Sequence, residues 1–251
     1  MLLDFHPVYA KILLTKQGKD GVMPMRMRKK KNLEPRLAAV ADYLLDTVSD
    51  DPNALTAIRT KEYLDYEAIF GNDHPVWLEI GCGKGQFIAE LAARHPERNY
   101  IAVEKVSNVI VMAAERAKEA GLMNVKFAPI GAEYLQKFLP PHSIAGIYLN
   151  FSCPYPKGSY KNHRLTNPRF LAIYEDLLET GAEVHQKTDN MHFFEYSIEE
   201  FSKAGWQFKN ISLDLHHSDF EGNIVTEYEQ RFASQGLPIY RLEAFLPDTN
   251  D

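Results

Sequence analysis

The residues of this chain best suited to chemistry are Glu79, Gly81, Gly83 and Gly85, spaced two apart at the end of the apolar run Val76-Trp77-Leu78-Glu79-Ile80. A buried strand, an acid and a glycine-rich turn opening a helix form a nucleotide-cofactor site. Glycine lets the backbone turn tightly and approach a ligand where a Cβ would clash, and the first N–H groups of the following helix are unpaired. The dinucleotide fingerprint requires G-x-G-x-x-G, which this spacing does not match. A second carboxylate, Glu104, ends the next predicted strand about 20 residues beyond the turn, where it can accept hydrogen bonds from ribose hydroxyls. Two later loops follow predicted strands in the same way: Pro129-Ile130-Gly131-Ala132 and Asn150-Phe151-Ser152-Cys153-Pro154-Tyr155-Pro156-Lys157. His216, His217 and Asp219 suggest a metal cluster. Adjacent histidines point apart in a strand, however, and no matching ligand set accompanies them, so no metal is expected.

Positioning these residues takes a parallel sheet, because ligands of such sheets sit beyond the carboxyl ends of the strands. The hydrophobic periodicity alternates strand and helix along the chain, the pattern of a parallel sheet with crossover helices. Strands are predicted at 76–80, 100–103, 125–128, 144–149, 182–186, 208–215 and 239–245. Helices are predicted at 84–94, 107–120, near 133–138, 168–179 and 191–204. Ahead of them, Leu37, Val40, Ala41, Leu44, Leu45 and Val48 recur at helical spacing and predict one capping helix over 33–48. The fold class is therefore α/β, a Rossmann-like sheet of about seven mostly parallel strands with helices on both faces.

The 251 residues fit one globular domain at 33–251 carrying a short extension. No apolar run reaches the length of a membrane span or a secretory core, so a cytoplasmic protein is expected. The two cysteines, Cys82 and Cys153, cannot make a metal set alone and are expected to be free thiols. Net charge is −6, unevenly placed: the first 36 residues hold nine basic against three acidic side chains, giving +6 and leaving −12 elsewhere. Residues 1–32 thus read as a flexible basic arm able to track phosphates. Met23, Met25 and Met27 beside the basic run suggest that translation starts near Met25.

The Glu79-x-Gly81-x-Gly83-x-Gly85 turn resembles motif I of the class I S-adenosylmethionine (SAM) methyltransferases. Several further motifs, in order, resemble one family of that class, the bacterial tRNA (guanine-N7)-methyltransferases. They are Met25-Arg26-Met27-Arg28-Lys29-Lys30, Glu67-Ala68-Ile69-Phe70-Gly71-Asn72, Ile147-Tyr148-Leu149-Asn150-Phe151, Arg164-Leu165-Thr166, Lys187-Thr188-Asp189-Asn190 and Thr226-Glu227-Tyr228-Glu229. The resemblance covers about Met25 to Phe245 and implies methyl transfer from SAM to N7 of a guanine in the tRNA variable loop, by a monomer or homodimer.

Carried onto this chain, the resemblance implies that Glu79, the glycines Gly81, Gly83 and Gly85, Glu104, Gly131 and Cys153 face SAM. Lys157, Asp189 and the segment Thr226, Glu227, Tyr228, Glu229 would contact tRNA, with Cys153 and Asp189 nearest the reacting atoms. Asp189 or Glu229 would accept from the guanine N1–H and N2–H₂ edge, and Lys157, with Lys161, His163 and Arg164, would meet phosphate. Simpler roles fit some of the same residues. Asp189 reads as the N-cap of the helix near Met191, and Thr226-x-x-Glu229 as a capping box.

Two positions depart from the family pattern. Aspartate is usual after the third strand, where this chain has Ile130-Gly131, and again in the loop after the fourth, where it has Cys153 followed by Tyr155 rather than tryptophan. A thiol is a weak hydrogen-bond partner, so loss of a carboxylate there would cost roughly 10- to 150-fold. Three functions therefore stand side by side: an active tRNA methyltransferase, a tRNA-binding homologue with weakened catalysis, and a class I methyltransferase of a small molecule.

Overall fold

The computed structural model describes residues 32–247. The basic arm, the clustered methionines and the start of the family resemblance lie outside them. Seven strands form one sheet: β1 (Val76–Ile80), β2 (Asn99–Val103), β3 (Val125–Ala128), β4 (Ile144–Asn150), β5 (Leu178–Thr188), β6 (Gln207–Ser212) and β7 (Tyr240–Phe245). Their order is β3-β2-β1-β4-β5-β7-β6, parallel except that β7 runs antiparallel to both β5 and β6. The chain leaves β1 toward β2 on one side and places β4 on the other, so a crevice opens above the carboxyl ends of β1 and β4.

Alternation along each strand builds two apolar layers. Leu78, Ile80, Ile101, Val103, Ile147 and Val184 pack on Phe170, Tyr174, Phe194 and Phe201 of helices α4 (Pro168–Leu177) and α5 (Met191–Lys203). On the opposite face Tyr100, Ala102, Val125 and Phe127 meet Ile88 and Leu91 of α2 (Gln86–Arg94), Ile110 and Ala113 of α3 (Ser107–Glu119), and Leu33 and Leu37 of α1 (Leu33–Ala39). Glu79 shares the second face with Trp77, two residues earlier.

The N-terminal segment differs from the single helix read over 33–48. α1 ends at Ala39, with Val40 as its C-cap, a 3₁₀ turn covers Ala41–Tyr43, and the chain then extends along β3, with Leu44 bridging Phe127 and the Leu45 amide donating to the Phe127 carbonyl at 2.9 Å. β3 is an edge strand, and covering its backbone groups outweighs continuing a helix. Leu37, Val40, Leu44, Leu45 and Val48 are buried all the same, and Ala41 partly so. The last predicted strand before β7 also ends early, at Ser212, and Leu215–His217 forms a 3₁₀ turn.

Candidate active site

At the end of β1 the chain turns through Gly81, Gly83 and Gly85, with φ of 82°, 56° and 75°, values that favour glycine. Gly81 and Cys82 donate their amides to the Val103 carbonyl of β2, and Gly85 donates to Cys82. A Cβ on Gly85 would lie 2.6 Å from that of Ala113, so the turn also lets α2 and α3 approach. Cys82 is buried here and Cys153 is exposed; both are free.

Glu79 is 2% exposed just below this turn. Asn150, at the end of β4, donates its Nδ2 to Glu79 Oε1 at 3.1 Å, while Oε2 has no partner. Burial pushes the Glu79 carboxyl up to about 7, against the pull of Asn150 and of the Lys187 charge. Glu104, one strand over, accepts from the Val106 amide at 2.9 Å. Its carboxyl is also raised, because burial outweighs the backbone donors that hold its anion.

Two clefts meet at Gly81 and Phe151, of about 270 Å³ and 460 Å³, near the lower end of the usual size of small-molecule sites. The first holds Glu104, Ile130, Gly131, Glu133, Ser152 and Cys153, with His163 and Arg169 on its wall. The second holds Glu79, Gly83, Asn150, Thr226, Tyr228 and Arg231. Phe151 and Tyr155 carry positive φ of 51° and 40°, backbone strain in the loop after β4, and Tyr155 is held between Pro154 and Pro156. The Phe151 and Tyr228 rings lie 5.2 Å apart, closing the wall between clefts.

The cap expected of Asp189 is made by Asn190, whose side chain accepts from the Phe193 amide at 2.9 Å. Asp189 is thereby spared, half-buried, and its charge is close enough to add to the burial that raises the Tyr228 hydroxyl. Thr226 does cap α6 (Glu227–Ala233), accepting from the Glu229 amide at 3.0 Å. The Glu229 carboxylate does not complete the box. It is fully buried, takes the Lys187 ammonium at 2.7 Å and Asn223 Nδ2 at 2.7 Å, and lies 3.0 Å from His216 Nε2. Three partners thus brace the Glu229 carboxylate in the interior.

Lys187 was not singled out by its type or spacing, yet it ties three elements together. Its ammonium also donates to the Ile224 carbonyl at 2.9 Å and Asn223 at 3.0 Å, and its own carbonyl accepts from the Phe151 amide at 2.8 Å. Burial lowers its pKa and Glu229 opposes that shift. A lysine at the carboxyl end of a strand was the available signal. Asn150, Arg169 and Arg231 were likewise missed; only their places after strands or in helices near the clefts could have marked them.

Lys157 is exposed ahead of the 3₁₀ helix Gly158–His163, outside both clefts. Arg164 is committed to the loop, donating to the carbonyls of Pro154 at 2.9 Å and Tyr155 at 3.1 Å and stacking on Tyr196 at 4.3 Å. His216 and His217 face different carboxylates, Glu229 and Asp214, in a 3₁₀ turn rather than a strand. No described helix is long and apolar enough to cross a membrane.

The chain matches the family model described as "Putative methyltransferase" over residues 73–242, more than half its length. It is 50% identical over 179 residues to the tRNA (guanine-N(7)-)-methyltransferase of Listeria monocytogenes serotype 4b (strain F2365), covering 71% of this chain and 84% of the relative. It is 41% identical over 219 residues to the enzyme of that name from Bacillus subtilis (strain 168), covering 87% and 98%. Among solved structures, the 16S rRNA methyltransferase KamB superposes with a TM-score of 0.54 at 19% identity, over 74% of this chain and 96% of that one, a likeness of fold. By these identities and this coverage, the chain belongs to the tRNA (guanine-N7)-methyltransferase family.

Proposed function

We propose that this protein transfers the methyl group of S-adenosylmethionine to N7 of a tRNA guanine, in the cytoplasm where that substrate is found. The observation that carries the reading is Glu79, a buried carboxylate that lines the second cleft and keeps one oxygen without a partner. Buried polar atoms are normally satisfied, so a bound donor is the natural completion. The α-ammonium of SAM fits that acceptor, the glycine turn accommodates the amino-acid tail, and Glu104 suits the ribose hydroxyls. When bound, the sulfonium supplies an electrophilic methyl group. The names of the relatives, at 50% and 41% identity, support tRNA and guanine N7 as the acceptor.

The guanine N7 lone pair forms the new N–C bond as the C–S bond breaks, and the positive charge passes from sulfur to the purine ring. N7 carries no proton, so the protein has to orient and stabilise rather than deprotonate. Asp189, spared from capping, is available to the guanine N1–H and N2–H₂ edge and stabilises the cationic product. Phe151 and Tyr228 offer aromatic faces to the base. Lys157 and Lys161, both exposed, suit the tRNA backbone.

One observation favours a second reading, a tRNA-binding homologue with weakened catalysis: an exposed thiol, Cys153, stands in the loop where the family carries aspartate. Incubation with labelled SAM and a tRNA transcript, beside one whose variable-loop guanine is adenine, separates the two. Label in 7-methylguanosine only from the guanine transcript supports the first. Binding of both ligands without label, with a large gain on Cys153→Asp, supports the second.

A further inference from the structure

We propose that Glu133, admitted by the missing side chain of Gly131, is the acceptor that reads the exocyclic amine of the cofactor's adenine ring. The proposal rests on the SAM reading and assigns a residue to its base. β1, β2 and β3 lie side by side and end in the glycine turn, Glu104 and the Gly131–Glu133 segment. Neighbouring strands are about 4.8 Å apart. A ligand with its ammonium at Glu79 and its ribose at Glu104 therefore carries its base to the end of β3.

Glu133 lines the same cleft as Glu104, beside the apolar Val103, Ile130 and Ala132. Its carboxylate folds back over Gly131, so that a Cβ built there would meet Glu133 Cδ at 2.6 Å and Oε1 at 2.8 Å. Any larger residue at 131 would push the carboxylate away. The chain thus places at residue 131 a carboxylate borrowed from two positions on, in the region where an aspartate at 131 would reach. Among the described residues this carboxylate has no hydrogen bond or ion pair, while its neighbour Tyr134 donates to the Pro52 carbonyl at 2.7 Å. An ionised carboxylate only accepts, and the adenine N6 amine is the donor that distinguishes this base edge.

The test is calorimetric binding of S-adenosylhomocysteine and its N6,N6-dimethyl analogue to the full-length chain. The wild type is expected to prefer the unmodified ligand by about 10-fold, the scale of one charge-assisted hydrogen bond. Glu133→Ala should bind both alike and at the weaker level, and Gly131→Asp combined with Glu133→Ala should regain the preference. Equal affinity of the wild type for both ligands, or an undiminished preference in Glu133→Ala, overturns the assignment. If the wild type binds neither ligand, the cofactor reading itself falls, and the assignment with it.

Discussion

Glu79 and Glu183 are the same residue type on the same sheet, yet their carboxyls are moved in opposite directions. Glu183, on β5, lies 3.1 Å from His185 Nε2 and forms a close ion pair with Lys209. The His185 bond first, and then Lys209, hold its carboxyl down at about 2. Its cross-strand region is complete in itself, since Glu243 on β7 is held by Arg241 and by Asn210 at 2.6 Å. Glu79, at the carboxyl end of β1, has one amide donor and one oxygen left over, and burial lifts it to about 7. Where folding supplies the countercharge, an acid serves structure; where folding withholds it, the acid keeps an acceptor open.

Glu229 tests that rule most severely, because it lies near the clefts but is paired like Glu183. Lys187→Met should leave its buried carboxylate uncompensated and cost about 3–5 kcal/mol in urea unfolding. Adding Glu229→Leu should recover much of the loss. A single variant as stable as wild type would remove the bracing role.

For Glu79 the expectation is reversed. Glu79→Gln should weaken S-adenosylhomocysteine by roughly 10- to 150-fold, the loss of a charge-assisted contact. The ligand-free variant should nevertheless unfold later at pH 8. The folded value of about 7 lies above the ordinary 4.5, so ionised Glu79 burdens the empty protein as pH rises through that window. The gain should be about 3 kcal/mol. Decreased stability at pH 8 would mean that the carboxylate is satisfied in a way the Asn150 bond does not account for.

The same window sets the pH dependence of binding. From pH 8 to pH 6 Glu79 gains a proton, and affinity for S-adenosylhomocysteine should fall about 10-fold. In Glu79→Gln the profile should be flat. A wild-type profile without slope would separate Glu79 from the ligand.

The smallest effect belongs to Glu183→Gln. The depressed value contributes stability above the ordinary 4.5 that is lost as pH falls toward 2. The group is partly solvated, so screening limits the cost at pH 7 to under about 1 kcal/mol. Ligand affinity should not change; a tenfold shift would join the two regions that the structure keeps apart.

The amino-acid sequence by itself determined the architecture and the first half of the site. Strand and helix periods depend on local alternation, so β1 to β4 and the helices between them emerge within a residue or two of their observed ends. Only three residues with free access to positive φ could make the turn after Glu79, so Gly81, Gly83 and Gly85 announced it. Tertiary structure decided everything that depends on which polar group reaches which. An apolar segment at helical spacing became an edge-covering extension because β3 was open beside it. Asn190 took the cap and freed Asp189, although either side chain could serve. Glu229 was claimed by Lys187, 42 residues away in the chain, and Glu133 filled the space of a side chain that Gly131 lacks. Such pairings are long-range and set by the geometry of charges in a low-dielectric interior, which no spacing along the chain encodes.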